Sequence, residues 1–521
     1  MAAKTNQQNR REFLEESMIA AASTVAGSVA SGVASGVASG VASGGENQVT
    51  AETGANQRLG VAVLGARGRG STHMKAYVHR PDTEVLVICD PDQSIAQKRA
   101  DELGRVQSRR PLVCADPRQA IELPNVDVVS IATPNHWHAL AAVWAMQAGK
   151  DVYVEKPVSH NVTEGRRMVQ TSRQHHRICQ AGLQSRSHPG IRDAIEFLQT
   201  GALGAIRVAR ALTFTRRESI GSSGTYQPPS GVDLDLWLGP AHATEVCRPR
   251  FHFDWHWQWA FGNGELGNQG IHQIDIARWG LDQDGLSERV LSYGGRYGVA
   301  DAGETPNTQV VHHEYGNQAL VAEVRGLSSK PRKNIRNGVI FECEDGYLAV
   351  AGHSRAAAFS ADGRLLQTFS GRGDHFDNFI KAVRCRRLAD LNADIEQGHI
   401  SSALCHLANI SIRLAKPLAG DAARAAIESF SSSDDWSRTF QWTLKHLAEN
   451  GITEPSVRSG ELLINVGRAL MIDAKRETII GDTDACALLT ANYREPYKFP
   501  ATRELQHSGT LGYSSLADAS G

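Results

Sequence analysis

The 521-residue chain lacks an excess of charge of either sign, with 55 Lys and Arg against 56 Asp and Glu. No basic run is long enough to neutralise a phosphate backbone, so a nucleic-acid partner is not expected. Paired cysteines are missing too: the eight are scattered singly, with neither a CxxC nor a zinc-like spacing. That argues against a disulfide scaffold and against a structural metal site, and all eight are expected to be small buried hydrophobes. No metal is expected in the active site either. With 41% hydrophobic and 21% charged residues and a mean hydropathy of −0.32, the composition is ordinary for a soluble protein. The length allows two or three domains, each with a full core.

What is present begins with Arg10-Arg11-Glu12-Phe13-Leu14, which resembles the twin-arginine export signal, an address rather than an anchor. A weakly apolar stretch from Met18 to Ala42 follows, as the hydrophobic region of a signal would. Two features depart from that pattern. Glu15 and Glu16 stand where a basic residue is common, and the stretch runs into the repeat SGVA at 31, 35 and 39. The repeat sets Gly32, Gly36, Gly40 and Gly44 four apart, formally a helix-dimerisation face. A retained membrane helix is therefore the alternative, although the many Ser and Gly residues would drive insertion weakly. A low-complexity leader is the third reading. Residues 1–57 are expected to be signal and linker, with the twin-arginine machinery as partner and the periplasm as destination.

From Arg58 the periodicity changes. The buried run LGVAVLG leads into a glycine cluster, then a helical stretch through Met74 and Ala76, then the run EVLVICD ending at Asp90. Strand, glycine-rich turn, helix, strand and acid is the order of a Rossmann unit. Gly65 and Gly70 fit the first and third glycines of its GxGxxG fingerprint. Arg67 takes the middle position and Gly68 follows it. In such a unit the helix N-terminus holds a pyrophosphate and the acid accepts from the ribose hydroxyls. Asp90 would repel a 2′-phosphate, so NAD is expected, while Arg67 and Arg69 keep NADP open. A third strand ends in Thr133-Pro134-Asn135-His136. A helix from about His138 to Ala148 stops at Gly149, and a fourth strand ends in Glu155-Lys156-Pro157. This alternation predicts a parallel sheet with its ligand beyond the carboxyl ends of the strands. Cofactor contacts are expected from Gly65, Arg67, Gly68, Arg69, Gly70, Asp90, Thr133, Pro134, Asn135, His138, Glu155 and Lys156.

The stretches GARGRGSTH, ATPNHWHALAAVWAMQAGKDVYVEKP and GNGELGNQGIHQIDIARWGL together resemble the Gfo/Idh/MocA oxidoreductases, over residues 58 to 415. The resemblance implies an α/β fold with an N-terminal Rossmann domain (a parallel doubly wound sheet) at 58–180. A C-terminal α/β domain with a large open, mostly antiparallel sheet is implied at 181–415. Residues 416–521 are expected to pack on that second domain. The resemblance also implies that Lys156 is catalytic or orients substrate beside the nicotinamide. The chemistry agrees, since a partly desolvated lysine loses proton affinity and can take a hydroxyl proton. A cis peptide at Pro157 would aim that lysine. GIHQIDIARWG reads as a helix ending at Gly280, with Asn268, His272, Asp275 and Trp279 on one face. His272 matches the family's second catalytic candidate, and Asp275 is expected to orient its imidazole. Asn268 stands where many members carry an aspartate; an amide is no base, so it would orient the substrate.

Upstream, Phe251, Phe253, Trp255, Trp257, Trp259 and Phe261 alternate along the chain. They are expected either to stack on sugar rings, Trp257 foremost, or to form the core side of a strand. Gln184 and Arg186 follow the last Rossmann strand and are expected to contact substrate. His399 and His406 have no carboxylate at ligand spacing and are expected to pack or to lie on the surface. The function expected is an NAD-dependent oxidoreductase acting on a sugar, cyclitol or glycoside, and a homo-oligomer is the expected assembly. Export would leave no cofactor pool outside the cytoplasm, which favours a tightly held NAD and a redox-neutral cycle. The alternatives are an NAD-dependent glycosidase or lyase working through a transient keto-sugar, and a non-catalytic carbohydrate-binding protein. Arg67 and Asn268 favour the last.

Overall fold

The computed structural model describes residues 58–242, 245–430, 436–452 and 463–500. The twin-arginine motif, the SGVA repeat and the linker lie outside the described residues.

The first domain alternates strands and helices. In order these are β1 (Leu59–Leu64), α1 (Gly68–Val78), β2 (Thr83–Cys89), α2 (Gln93–Gly104), β3 (Leu112–Cys114) and the short α3 (Pro117–Ile121). Then come β4 (Val128–Ile131), α4 (Asn135–Gln147), β5 (Asp151–Val154), α5 (Val162–Gln174) and β6 (Cys179–Ala181). The strands form one parallel sheet in the order β3-β2-β1-β4-β5-β6. The strand order reverses between β1 and β4, which opens a crevice at their carboxyl ends. Helix α4 starts at Asn135, three residues before the expected His138, so Asn135 and His136 sit in its first turn. Gly149 follows its end at a φ of +81°, where a side chain would be strained.

The second domain contributes α6 (Pro189–Gln199), β7 (Ile206–Thr213), α7 (Leu234–Leu238) and α8 (Ile271–Gly280). Seven strands follow: β8 (Arg289–Gly295), β9 (Thr308–Tyr315), β10 (Gln318–Arg325), β11 (Asn337–Cys343), β12 (Gly346–Ala351), β13 (Arg355–Ser360) and β14 (Leu365–Phe369). Then come α9 (His375–Cys385), α10 (Ile395–Arg413), β15 (Lys416–Ala419), α11 (Gly420–Glu428) and α12 (Trp436–Glu449). The described chain ends with β16 (Leu463–Val466), β17 (Leu470–Asp473), β18 (Thr478–Ile479) and α13 (Thr483–Ala487). One open sheet runs β14-β13-β12-β11-β7-β10-β9-β8-β16-β15, and β17 also pairs with β8. Its pairings are antiparallel except β7 with β10.

Residues alternate between the two faces of a strand, and here both faces are apolar. Ala209, Val311 and Leu320 lie under α8 and α10, in the cluster that also holds Ile274 and Leu404. Val208, Val310 and Val321 lie on the opposite face, under Ile427 of α11 and Phe440 of α12. The described residues of α11 and α12 thus cover the outer face of the second domain's sheet, and β16 and β17 extend its edge. Residues 483–500 reach the first domain, where Tyr493 OH accepts from Asn161 Nδ2 at 3.1 Å and the Tyr497 ring meets Trp137 edge-on.

Helix α9 departs from the expected division. Its apolar face (Phe376, Phe379, Ile380 and Val383) packs on Tyr77 and Tyr153 of the Rossmann domain. The aromatic segment is not a strand: residues 254–257 form a 3-10 turn. Contrary to the expectation for all eight cysteines, Cys385 is exposed and Cys114, Cys247 and Cys486 are only half-buried.

Glu477, after β17, ties three parts of the chain together. Its carboxylate accepts from Arg166 Nε at 2.9 Å on α5 and lies 2.9 Å from His399 Nε2 on α10. His399 is therefore a buried structural hydrogen-bond partner, not a surface group. Burial alone would raise the Glu477 carboxyl, but Arg166 and His399 outweigh it and hold it at about 2. Against about 4.3 in an unfolded chain, this depressed value contributes stability that is complete above about pH 5 and is lost as pH falls toward 2. In Glu477→Gln, thermal stability should fall less steeply across that acid range. An acid limb as steep as that of the parent would refute the assignment.

Candidate active site

The turn after β1 is built for close backbone approach. Gly65 has a φ of +90°, and a Cβ there would lie 2.6 Å from Ala132 O. A Cβ on Gly70 would lie 1.8 Å from Gly65 O, so α1 can sit on the turn only with glycine at that position. Gly68 differs: nothing lies within 4 Å of the Cβ it lacks. No side chain caps α1 at Arg67, so the first-turn N–H groups are left for an anion. At the end of β2, Asp90 accepts from Ala66 N at 2.7 Å and from Asp92 N at 2.9 Å. Burial pushes its carboxyl up to about 6 against those two donors. This cradle, with Asp90 at its side, fits a dinucleotide. The two arginines are engaged elsewhere: Arg67 Nη2 bonds Asp92 at 2.6 Å and Arg69 Nη2 bonds Glu155 at 2.6 Å.

The cradle opens into a cavity of about 620 Å³ beyond the carboxyl ends of β1, β2, β4 and β5. Thr133 lines it with a buried hydroxyl that has no hydrogen-bond partner among the described residues. Pro134 precedes α4, and Asn135 Nδ2 donates to Asn263 Oδ1 at 2.9 Å. His138 clamps two loops, with Nδ1 2.6 Å from Pro157 O and Nε2 2.8 Å from Thr133 O. Glu155 is a hub rather than a free cofactor ligand. Arg69, Gln184 Nε2 at 3.2 Å and His73 Nε2 at 3.1 Å all reach Oε1 of its carboxylate. Burial would raise that carboxyl, yet His73 and Arg69 hold it far below the usual carboxylate range.

Lys156 follows, joined to Pro157 by a cis peptide as expected. Its Nζ donates to the carbonyl oxygen of Asn268 at 2.5 Å, and burial lowers its proton affinity. Asn268 lies in a π-turn (residues 266–270) that leads into α8. Its Nδ2 faces Glu265 Oε2 at 3.4 Å, and Glu265 is paired with Arg217 at 2.8 Å. Glu265 went unread in the sequence, although its position three before Asn268 places it one turn away.

The other predicted residues are not on the cavity wall. His272 is buried, its Nδ1 has no hydrogen-bond partner among the described residues, and its ring meets that of His353 at 4.7 Å. Asp275 does not orient it. The Asp275 carboxylate accepts from Arg186 Nε at 2.9 Å and from Ser401 Oγ at 2.7 Å. Arg186 and Asp275 are thus a buried ion pair, and Gln184 belongs to the Glu155 hub. Trp257 packs with Ile220 and Ala302 in a small cluster of its own. Besides Trp137 of α4, the aromatics that face the cavity are Trp237, Phe253 and Trp255, with His252 and His256 beside them. Trp237, Phe253 and Trp255 belong to a strap, described over residues 214–242 and 245–265, that is laid across the first domain. Asp233 N donates to Pro91 O at 2.9 Å, Trp137 Nε1 donates to Leu236 O at 3.0 Å, and His252 Nε2 stands 3.1 Å from Asp92.

Two models of one family match the chain. An oxidoreductase-family model with an NAD-binding Rossmann fold covers residues 59–183, and that family's C-terminal α/β domain covers 221–440. The chain belongs to the Gfo/Idh/MocA oxidoreductase family. It is 28% identical over 245 residues to a levoglucosan dehydrogenase of Pseudarthrobacter phenanthrenivorans, across 45% of this chain and 54% of that one. It is 27% identical over 175 residues to an alpha-N-acetylgalactosaminidase of Shewanella oneidensis, across 33% and 38%. The chain therefore spans about half, or less, of the curated relatives it matches. The WlbA dehydrogenase of Bordetella pertussis, solved with NADH and UDP-GlcNAcA, shares the fold at 20% identity and a TM-score of 0.50. That match covers 67% of this chain and 94% of that one. An oxidoreductase domain protein from Kribbella flavida does so at 16% and 0.51, over 68% and 96%.

The two Gfo/Idh/MocA glycines should respond oppositely. Gly70→Ala forces α1 off the turn, and is expected to cost about 1–3 kcal/mol and to weaken NADH binding in a fluorescence titration. Gly68→Ala should unfold at the temperature of the parent. Equal stability in the two variants would disprove the cradle geometry.

Proposed function

We propose that this protein is an NAD-dependent oxidoreductase acting on a hydroxyl of a sugar, cyclitol or glycoside, with its cofactor held through the cycle. The observation that carries this reading is Lys156, a half-buried lysine in the same roofed cavity as the dinucleotide cradle. The turn at Gly65, the first-turn amides of α1 and Asp90 would hold NAD, which supplies a hydride acceptor when bound. Lys156, its proton affinity lowered by burial, takes the proton of the substrate hydroxyl and returns it later. The Asn268 carbonyl holds the amine in place, and the aromatic strap keeps water from the reacting carbon. His272, one turn beyond Asn268, would act from behind this wall. With Arg67 and Arg69 engaged by Asp92 and Glu155, no free guanidinium is offered to a 2′-phosphate there, which favours NAD over NADP.

The strap's bonds to residues 91–92 and 137 favour a cofactor that does not exchange. A redox-neutral conversion suits such a cofactor: one hydroxyl is oxidised and a sugar carbonyl is reduced before the cycle closes. The twin-arginine motif supports the same reading, because that route carries folded proteins with cofactor aboard to the periplasm. Glycoside cleavage through a transient keto-sugar is the second reading, favoured by the similarity to the alpha-N-acetylgalactosaminidase.

Protein purified without added nucleotide should release NAD(H) on denaturation, identified by mass spectrometry. Nucleotide-free protein that binds NAD weakly and reversibly would sink the retained-cofactor cycle. Lys156→Ala should keep the nucleotide while turnover of a sugar substrate falls about 10²–10⁴-fold. Undiminished turnover would remove the lysine from the chemistry.

A further inference from the structure

A second cavity, of about 400 Å³, lies behind the first, within the range of about 300–1,000 Å³ typical of small-molecule sites. Asn135, on the wall of the first cavity, bonds Asn263, on the wall of the second, so the two share a partition. Nothing in the redox reading uses this space. We propose that it binds a monosaccharide bearing a carboxylate, a sugar of the uronate class.

The charge points to an anion. Arg413, at the end of α10, lines the cavity, and no carboxylate forms an ion pair with it among the described residues. Glu304, the carboxylate whose field reaches it, already accepts the Trp259 N–H at 2.7 Å. Glu164 is the one carboxyl on the lining, and it is used internally, accepting His160 N–H at 2.7 Å and Asn161 Nδ2 at 3.0 Å. Burial pushes it up to about 7, so it opposes an incoming anion weakly.

The remaining walls suit a sugar ring. Trp259 presents an indole beside the guanidinium, whose carbon lies 5.4 Å from the ring centroid. A carboxylate on Arg413 would bring the apolar face of a pyranose against that ring. On the floor, His136 Nε2 lies 3.0 Å from Trp237 O and so carries the proton. The Phe261 backbone also lies close to the ring, and Nδ1 is buried without a hydrogen bond of ordinary geometry among the described residues. A hydroxyl donor reaching Nδ1 would relieve that cost. Asn492 and Thr490, on the exposed tail, supply amide and hydroxyl groups at the mouth.

Calorimetric titration of the full-length protein with D-glucuronate, D-glucose and acetate tests the proposal. Glucuronate should bind saturably, and more tightly than either glucose or acetate. Its affinity should fall about tenfold or more, one charge-assisted contact's worth, in Arg413→Met and also in Trp259→Leu. Asn492→Ala, on the exposed tail, provides a third variant if either of those fails to fold. NADH titration of each variant reports whether the first cavity is intact. No saturable binding of glucuronate, equal binding of acetate, or unchanged affinity in the folded variants would each overturn the proposal.

Discussion

The buried carboxylate of Glu155 is the constraint on which the site depends. An ionised carboxylate in a protein interior is costly unless donors surround it. Glu155 takes them from two separate elements: Arg69 and His73 from α1, and Gln184 from the turn after β6. Each donor is thereby placed. Because α1 carries both the phosphate cradle and two of those donors, the cradle is fixed relative to the end of β5, and Lys156 with it. Below the hub, Tyr153 stacks on Phe376 of α9 with centroids 4.5 Å apart. A helix that arrives more than two hundred residues later in the chain thus packs the underside of β5.

The strap follows from the same economy of surfaces. The crevice at the switch point of a parallel sheet is apolar on its walls, and the wall residues of α4 need cover. Trp237, Phe251 and Phe261 supply it, gathered around Arg248, whose guanidinium carbon sits 5.1–5.2 Å from all three rings. Packing around a buried cation explains why this aromatic stretch does not run as a strand. Its alternation imitates a strand's period of two, but its backbone must turn to bring rings to all sides of one guanidinium.

What was legible in the sequence is what local rules determine. The Rossmann order, Gly65, Gly70 and Asp90 were readable because strand runs, a glycine turn and an acid stand at set distances along the chain. The π-turn and α8 put Asn268 beside Lys156, and a family motif was enough to name both residues. Long-range partnership was not legible. Asp275 lies one turn from His272, so helical spacing suggested a bond between them, yet its carboxylate is claimed by Arg186, 89 residues away in sequence. Gln184, Arg186 and Trp257 were judged by where they stand in the chain, and each is held by packing or ion pairs that only the tertiary fold creates. The reach of residues 483–500 to the first domain had no sequence signal at all.

The proton affinity of Lys156 shows how these partnerships act together. Two carboxylates, Glu155 and Glu265, act on the ammonium, and left bare they would hold its proton firmly. Each is instead already claimed by an arginine: Arg69 on Glu155 at 2.6 Å and Arg217 on Glu265 at 2.8 Å. The lysine therefore meets two neutralised pairs, so burial decides the direction of its shift. An aspartate at position 268 would add a third carboxylate with no described arginine assigned to it, and would tip the balance back toward a retained proton. The amide at that position adds no carboxylate beside the lysine, and so leaves burial to set the direction of its shift.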